Sequence, residues 1–181
     1  YNGWTSLQSM FYTMNHLPSV LSVNTSLDCT NVLLVRNMLW NTSVNSLNIG
    51  CFKNLTNMLE IFQLSTGFND LSIENLNTSL VTNMSRAFNA PNLNFDVSLY
   101  DISIVINGTD CFKSSALSDV NYQLLLINWT GWNGTTATKT LQSNVPFHFG
   151  TAKYEIGGQS EDARNYLINT LGWTITDGGG I

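Results

Sequence analysis

A short phrase returns along the chain every 24 to 26 residues. It reads Trp4-Thr5-Ser6-Leu7 followed by Phe11, then Cys29-Thr30-Asn31-Val32, then Leu55-Thr56-Asn57-Met58 followed by Phe62. It continues as Val81-Thr82-Asn83-Met84 followed by Phe88, and as Val105-Ile106-Asn107-Gly108 followed by Phe112. Measured on the second residue of each phrase, the steps are 25, 26, 26 and 24. A period of this size belongs to stacked supersecondary units, none of which can bury its apolar face alone.

Between the phrases lies a second element: Leu21-Ser22-Val23, Leu47-Asn48-Ile49, Leu71-Ser72-Ile73 and Val97-Ser98-Leu99. Apolar residues two apart around a polar one predict a short strand with one buried face. The phrase itself has another period. Val81, Met84 and Phe88 fall at i, i+3 and i+7, one stripe of a helix, with Thr82 and Asn83 where an N-cap would sit. The expected class is α/β: a solenoid with short parallel strands on one face and short helices on the other.

The run Phe68-Asn69-Asp70-Leu71-Ser72-Ile73-Glu74, continuing to Val81-Thr82-Asn83-Met84-Ser85 and Phe88, resembles the BspA-type leucine-rich repeats of bacterial surface proteins. The resemblance covers roughly residues 4 to 121 and is strongest from 55 to 100. Three features depart from it: the strand tryptophan is missing, Arg36 stands at the anchor Phe of the second unit, and Gly108 replaces Met. The resemblance implies a leucine-rich-repeat-like solenoid on a cell surface or secreted, with a role in adhesion. Similar repeats in phage-encoded structural proteins extend that expectation to a virion surface.

From Ser114 the repeat stops. Leu117-Ser118-Asp119 followed by Tyr122, Leu124, Leu125, Leu126 and Trp129 predicts a capped apolar helix, and residues 130 to 144 a polar loop. Val145–Phe149 reads as a strand, with Pro146 suggesting an edge. Ser160 and the acids after it open a second helix, Gly172 stops it, and Trp173–Thr176 forms a last strand. The expected organisation is therefore a repeat region over 1–116, its first unit incomplete, and a C-terminal α/β cap over 117–181 that covers the last unit. Too few residues precede the first phrase for a strand. That edge is expected to be covered by upstream sequence or a neighbouring subunit.

Composition narrows the function. Charged residues are 10% of the chain and 43% is hydrophobic, while Asn, Ser and Thr fill about a third. The chain should fold, with a neutral amide- and hydroxyl-rich surface. A net charge of −5 and scattered Lys and Arg oppose a nucleic-acid partner. No apolar run is long enough to span a membrane. Cys29 and Cys111 occupy apolar slots and read as buried thiols, whereas Cys51 sits on a polar one. The repeated Asn31, Asn57, Asn83 and Asn107 read as a turn-forming ladder in preference to a binding row. The N-x-[ST] sequons at Asn24, Asn41, Asn54, Asn77, Asn83, Asn107, Asn128 and Asn133 follow mostly from composition.

His16 and His148 have no metal-ligand spacing around them, no catalytic motif occurs, and Asp70, Asp96 and Asp119 sit where turns need them. No enzyme activity, cofactor or metal is expected. The candidate binding surface is the outward strand face: Asn24, Asn48, Ser72, Glu74, Ser98 and Tyr100. The expected function is non-catalytic recognition of a cell-surface glycan or protein outside the cell. The alternative is a structural assembly unit of a virion, fibre or surface layer, without a small ligand.

Overall fold

The computed structural model describes residues 5–10, 12, 20–22, 30–41, 46–48, 52–66 and 76–181, with backbone alone for 20–22 and 46–48. Short strands β1 (Val20–Ser22) and β2 (Ser46–Asn48) pair in parallel, Leu21 opposite Leu47. The strand expected at Leu71–Ile73 lies outside the described residues. The one expected at Val97–Leu99 is a turn, closed by the Tyr100 N–H on the Val97 carbonyl at 3.0 Å.

The repeated phrase carries the inter-unit pairing. Single parallel bridges join Ser6 to Leu34, Leu34 to Asn57, Asn57 to Asn83 and Asn83 to Asn107, steps of 28, 23, 26 and 24. No helix forms here. In the third unit the N–H groups of Met58, Glu60, Phe62 and Leu64 donate to the carbonyls of Asn83, Ser85, Ala87 and Asn89 in the next unit, at 2.9 to 3.1 Å. The N–H groups between them stay within the unit: Leu59 donates to Asn57 Oδ1 at 2.9 Å, and Ile61, Gln63 and Ser65 close i→i+3 turns. An α-helix would need all these donors for its own i−4 carbonyls. Because alternate donors serve the neighbour, the segment folds as a ribbon of tight turns instead.

Such a ribbon needs a positive φ at the third residue of its first turn, the slot that takes positive φ in a type II turn. Ser9, Asn37, Glu60, Arg86 and Asp110 occupy it, with φ between 51° and 57°. Each non-Gly residue held there costs about 1–2 kcal/mol. The inter-unit bonds from Ser9, Asn37, Glu60 and Arg86, at 2.9 to 3.1 Å, hold the strained slots in place.

The ladder also corrects the second unit. Leu34, not Asn31, pairs with Asn57, and Asn31 is exposed off the ladder. The pattern Val32, Val35, Met38, Leu39 then matches Val81, Met84, Ala87, Phe88, and all eight side chains are buried. Burying four apolar positions outweighs matching a single amide, so the Thr-Asn pair that set the expected register gives way. Leu39 takes the anchor aromatic slot in place of Arg36. Cys29 loses the slot that argued for its burial, and both it and Cys51 lie outside the described residues.

The anchor rings form the spine of the core. Phe62, Phe88, Phe112 and Phe149 stack with centroids 5.9, 5.1 and 5.8 Å apart. Val81 and Met84 pack with them, fully buried; Leu71 and Ile73, expected beside them, lie outside the described residues. Cys111 is buried as its slot requires, and desolvation pushes its thiol pKa up. On the outside, Glu60 pairs with Arg86 at 2.8 Å and approaches Arg36 at 4.0 Å, while Asp110 lies 3.9 Å from Arg86 and 3.5 Å from Lys113. Exposed pairs contribute about 1 kcal/mol or less each, but alternating signs disfavour a slipped register.

The tail continues the ladder after an insertion. Helix α1 (Asp119–Thr130) starts at Ser118, whose Oγ accepts from Asn121 N–H, and ends on Gly131 at φ 63°. Strand β3 (Pro146–His148) then takes the next rung. Gly108 donates to the Pro146 carbonyl at 3.1 Å and Phe112 to His148 at 2.8 Å. The Phe147 ring fills the space where a Cβ on Gly108 would sit, 2.4 Å from that point. That is why glycine replaces Met in this unit. Pro146 is not on an edge: β3 lies between Gly108 and β4 (Thr174–Thr176), and Pro146 opens the strand. Helix α2 (Gln159–Asn169) is headed by Gly158; Ser160 lies inside it, buried, accepting from the Glu155 N–H at 3.2 Å.

Two expected outcomes test this arrangement. Phe88→Ala removes a ring in contact with four others and should cost about 3–5 kcal/mol in denaturant unfolding; a loss under about 1 kcal/mol would refute the stacked register. Arg86→Gly and Arg86→Val both remove the ion pairs, but only valine meets the left-handed backbone with a branched Cβ. The valine variant should be the less stable by about 2 kcal/mol, and equal stabilities would contradict the assigned φ.

Candidate functional site

Of the residues expected on an outward strand face, Asn24, Ser72 and Glu74 lie outside the described residues, and Asn48 is described only as backbone in β2. Ser98 and Tyr100 are not outward. Ser98 is buried and accepts from Asn128 Nδ2 at 2.9 Å, while Tyr100 packs near Phe88 with centroids 6.2 Å apart. The cause is the Val97–Tyr100 turn, which breaks the alternation and turns the side chain between them out. Leu99 is 79% exposed.

That turn opens a cleft of about 430 Å³. One wall is Leu99–Ser103, the other Lys139–Leu141, and Trp129 forms the floor. Each part is fixed by its own chain. The Trp129 indole N–H donates to the Val97 carbonyl at 3.1 Å, and its ring packs on Phe147 and Phe149. Asp101 Oδ1 accepts from the Ser103 N–H at 2.9 Å. Gln142 Nε2 donates to the Ser103 carbonyl at 3.1 Å, tying the walls together. The Thr138 and Lys139 N–H groups both reach the Thr130 carbonyl, which holds the second wall on the end of α1.

Burial pushes the Tyr100 phenol pKa up, so it is neutral at ordinary pH. The lining thus offers one ammonium, one carboxylate and the hydroxyls of Ser103 and Thr140 around an apolar floor. This set can orient a polar ligand by hydrogen bonds over an apolar contact. It has no imidazole beside a hydroxyl: His148 Nδ1 accepts from the Gly150 N–H within a turn, and His16 lies outside the described residues. Among the described residues no group of three His, Cys, Asp or Glu could hold a metal, and no helix is long and apolar enough to cross a membrane.

The other concentration of charge lies in the tail. Arg164 Nε and Tyr122 Oη each donate to Asp177 Oδ2 at 2.6 Å, and the Gly179 N–H donates to Oδ1 at 3.0 Å. The Arg164 guanidinium also lies over the Tyr154 ring, 4.7 Å from its centre. Burial pushes the Asp177 carboxyl pKa up, yet Arg164, Tyr122 and Gly179 together hold it below its usual value. The three side chains clasp α1, α2 and the end of β4, and every oxygen of the carboxylate is used internally. Two of the turn acids are likewise engaged in local structure, Asp96 Oδ1 accepting from the Ser98 N–H and Asp119 Oδ1 from the Lys153 N–H, while Asp70 lies outside the described residues.

Units joined rung to rung and closed by a mixed helical and stranded tail define a repeat-built protein with a lateral cleft. The chain belongs to the family described as Mycoplasma protein of unknown function, DUF285, whose model matches residues 5–129. No curated protein and no solved structure matches it. The match ends on Trp129, the cleft floor, so the Lys139 wall lies beyond it.

The clasp makes an acid-stability prediction. A carboxylate whose folded pKa is lowered contributes stability above its unfolded value, and that contribution is lost as pH falls through the folded one. Wild-type protein should therefore lose stability more steeply below about pH 4 than Asp177→Asn does. Parallel slopes in acid titrations of the melting temperature would remove the clasp from the account.

Proposed function

We propose that this chain is a non-catalytic recognition module of the BspA-type leucine-rich-repeat kind, a solenoid displayed outside a cell or on a virion, whose cleft between Leu99–Ser103 and Lys139–Leu141 receives a cell-surface glycan or protein segment. The observation that carries the reading is the fixed cleft floor: Trp129 and Tyr100 are locked by the core, while Leu99, Asp101, Lys139 and Thr140 stand exposed above them. Preorganised walls reduce the ordering cost of binding, which suits recognition without chemistry. The matched family description names no activity, and the repeated phrase supports the finer BspA-type resemblance.

The test is binding to intact cells and to arrays of surface glycans by labelled protein. Leu99→Asp combined with Lys139→Glu should weaken binding at least about tenfold, the effect of losing a central contact of about 1.4 kcal/mol or more. Ile156→Asp, on an exposed tail position outside the cleft, should leave it unchanged. Equal binding by the cleft variant and the wild type would reject the cleft as the site.

The assembly reading has its own support in the ladder's complementarity. In the described units N–H groups cross both ways, Met58 to Asn83 in the next unit and Thr82 to Thr56 in the previous one, so one edge of a unit complements the opposite edge of another. A neighbouring subunit or upstream sequence at the N-terminal edge fits that pattern. Concentration-dependent growth in sedimentation, with cleft variants assembling like wild type, would favour this second reading over the first.

A further inference from the structure

The chain contains three Asn-Gly pairs, Asn2-Gly3, Asn107-Gly108 and Asn133-Gly134, of which the first lies outside the described residues. The other two present the same dipeptide in opposite surroundings. Asn107 is a ladder residue. Its Oδ1 accepts one N–H, from Thr109 at 3.0 Å, and the Gly108 N–H is engaged by the Pro146 carbonyl at 3.1 Å. Gly108 is buried beneath the Phe147 ring. Its nitrogen can reach a new partner only if the rung to β3 opens.

Asn133 stands in the exposed loop after α1. Its Oδ1 accepts from the Thr135 N–H at 3.1 Å, the Thr136 N–H at 3.0 Å and the Thr135 hydroxyl at 3.0 Å. Three donors converging on one amide oxygen polarise its carbonyl. They also stabilise the negative charge that oxygen would gain if a nucleophile added to Cγ. The neighbouring nitrogen belongs to Gly134, which is exposed, has φ 96°, and has no atom within 4 Å of where a Cβ would project. Nothing crowds a ring closing at this point.

We propose that Asn133 is a site of spontaneous covalent modification. The Gly134 nitrogen adds to Asn133 Cγ, forming a C–N bond. The Cγ–Nδ2 bond then breaks, and Nδ2 leaves as ammonia carrying the proton from the Gly134 N–H. The product is a five-membered succinimide. Water adds to one or other of its carbonyls and opens the ring, leaving aspartate, or isoaspartate with the chain rerouted through the side-chain carbon. Either product places a negative charge on the loop whose later residues, Lys139 to Leu141, wall the cleft. The chemistry stands independently of what the cleft binds.

Incubation of the folded protein in mildly alkaline buffer at body temperature, followed by peptide mapping with mass spectrometry and enzymatic isoaspartate methylation, tests the proposal. The peptide bearing Asn133 should convert at least about tenfold faster than the one bearing Asn107, since opening a rung by about 1.4 kcal/mol accounts for one factor of ten. In denaturant the two rates should converge. Thr135→Val, an exposed change that removes one donor to Oδ1, should slow conversion at Asn133 in the folded protein alone. Equal folded-state rates at the two sites, an intact Asn133, or a Thr135→Val rate matching wild type would overturn the assignment.

Discussion

The structure depends on how one unit divides its backbone N–H groups. From Met58 to Ser65 each has an acceptor, alternately in the next unit and within its own. Neither half suffices alone. Without the neighbour, the N–H groups of Met58, Glu60, Phe62 and Leu64 lose their acceptors, and any that stayed buried would cost about 1–3 kcal/mol. Without the internal turns the chain could not place alternate donors on one side. The Asn at the head of the phrase completes the count: Asn57, Asn83 and Asn107 each accept the N–H two residues on, which neither the turn nor the neighbour takes. Ser6 does the same for Gln8 in the first unit through its hydroxyl. Leu34 has no side-chain acceptor to offer, so the second unit keeps its place through apolar burial.

Much of this was readable from residue types. The apolar slots Val81, Met84, Phe88 and Cys111 are buried, the phrase asparagines shape turns, and α1 begins at the expected Ser118. The helix expected in each phrase is replaced for a reason that residue types hide. The i, i+3, i+7 stripe of Val81, Met84 and Phe88 is common to a helix and to a ribbon of turns, and only a residue with positive φ separates them. That slot holds Ser, Asn, Glu, Arg and Asp, none of them glycine, so no residue announces it. In the second unit the Thr30-Asn31 match spans two residues, and the four buried apolar positions Val32, Val35, Met38 and Leu39 override it. At Ser98 and Tyr100 the alternation that predicts a strand gives way to the turn from Val97 to Tyr100.

The cleft was hidden for another reason. Its walls are about forty residues apart in sequence and meet because β3 rejoins the ladder after α1 and the polar loop. A period of 24 to 26 residues says nothing about an insertion of that kind. Two substitutions record the handover: Gly108 vacates its slot for the Phe147 ring, and Phe149 extends the stack begun by Phe62. Proline at 146 is compatible because the bond it forms toward Gly108 uses its carbonyl, and no donor is required of it.

Rigid rungs also explain where variation is tolerated. The positive-φ slot demands a backbone conformation and an N–H, while its side chain points away from the core spine. Consecutive units therefore carry Glu60, Arg86 and Asp110 there, partly exposed and mutually paired. A charge in this slot costs the core nothing and favours one stacking order, since pairing that skipped a unit would bring Glu60 beside Asp110. The same separation lets the tail hold Tyr122, Arg164 and Asp177 in a closed clasp while Asp101, Lys139 and Thr140 stand exposed at the cleft on another part of the fold. The ladder fixes the scaffold through backbone groups, and the side chains it does not use are free to differ from unit to unit.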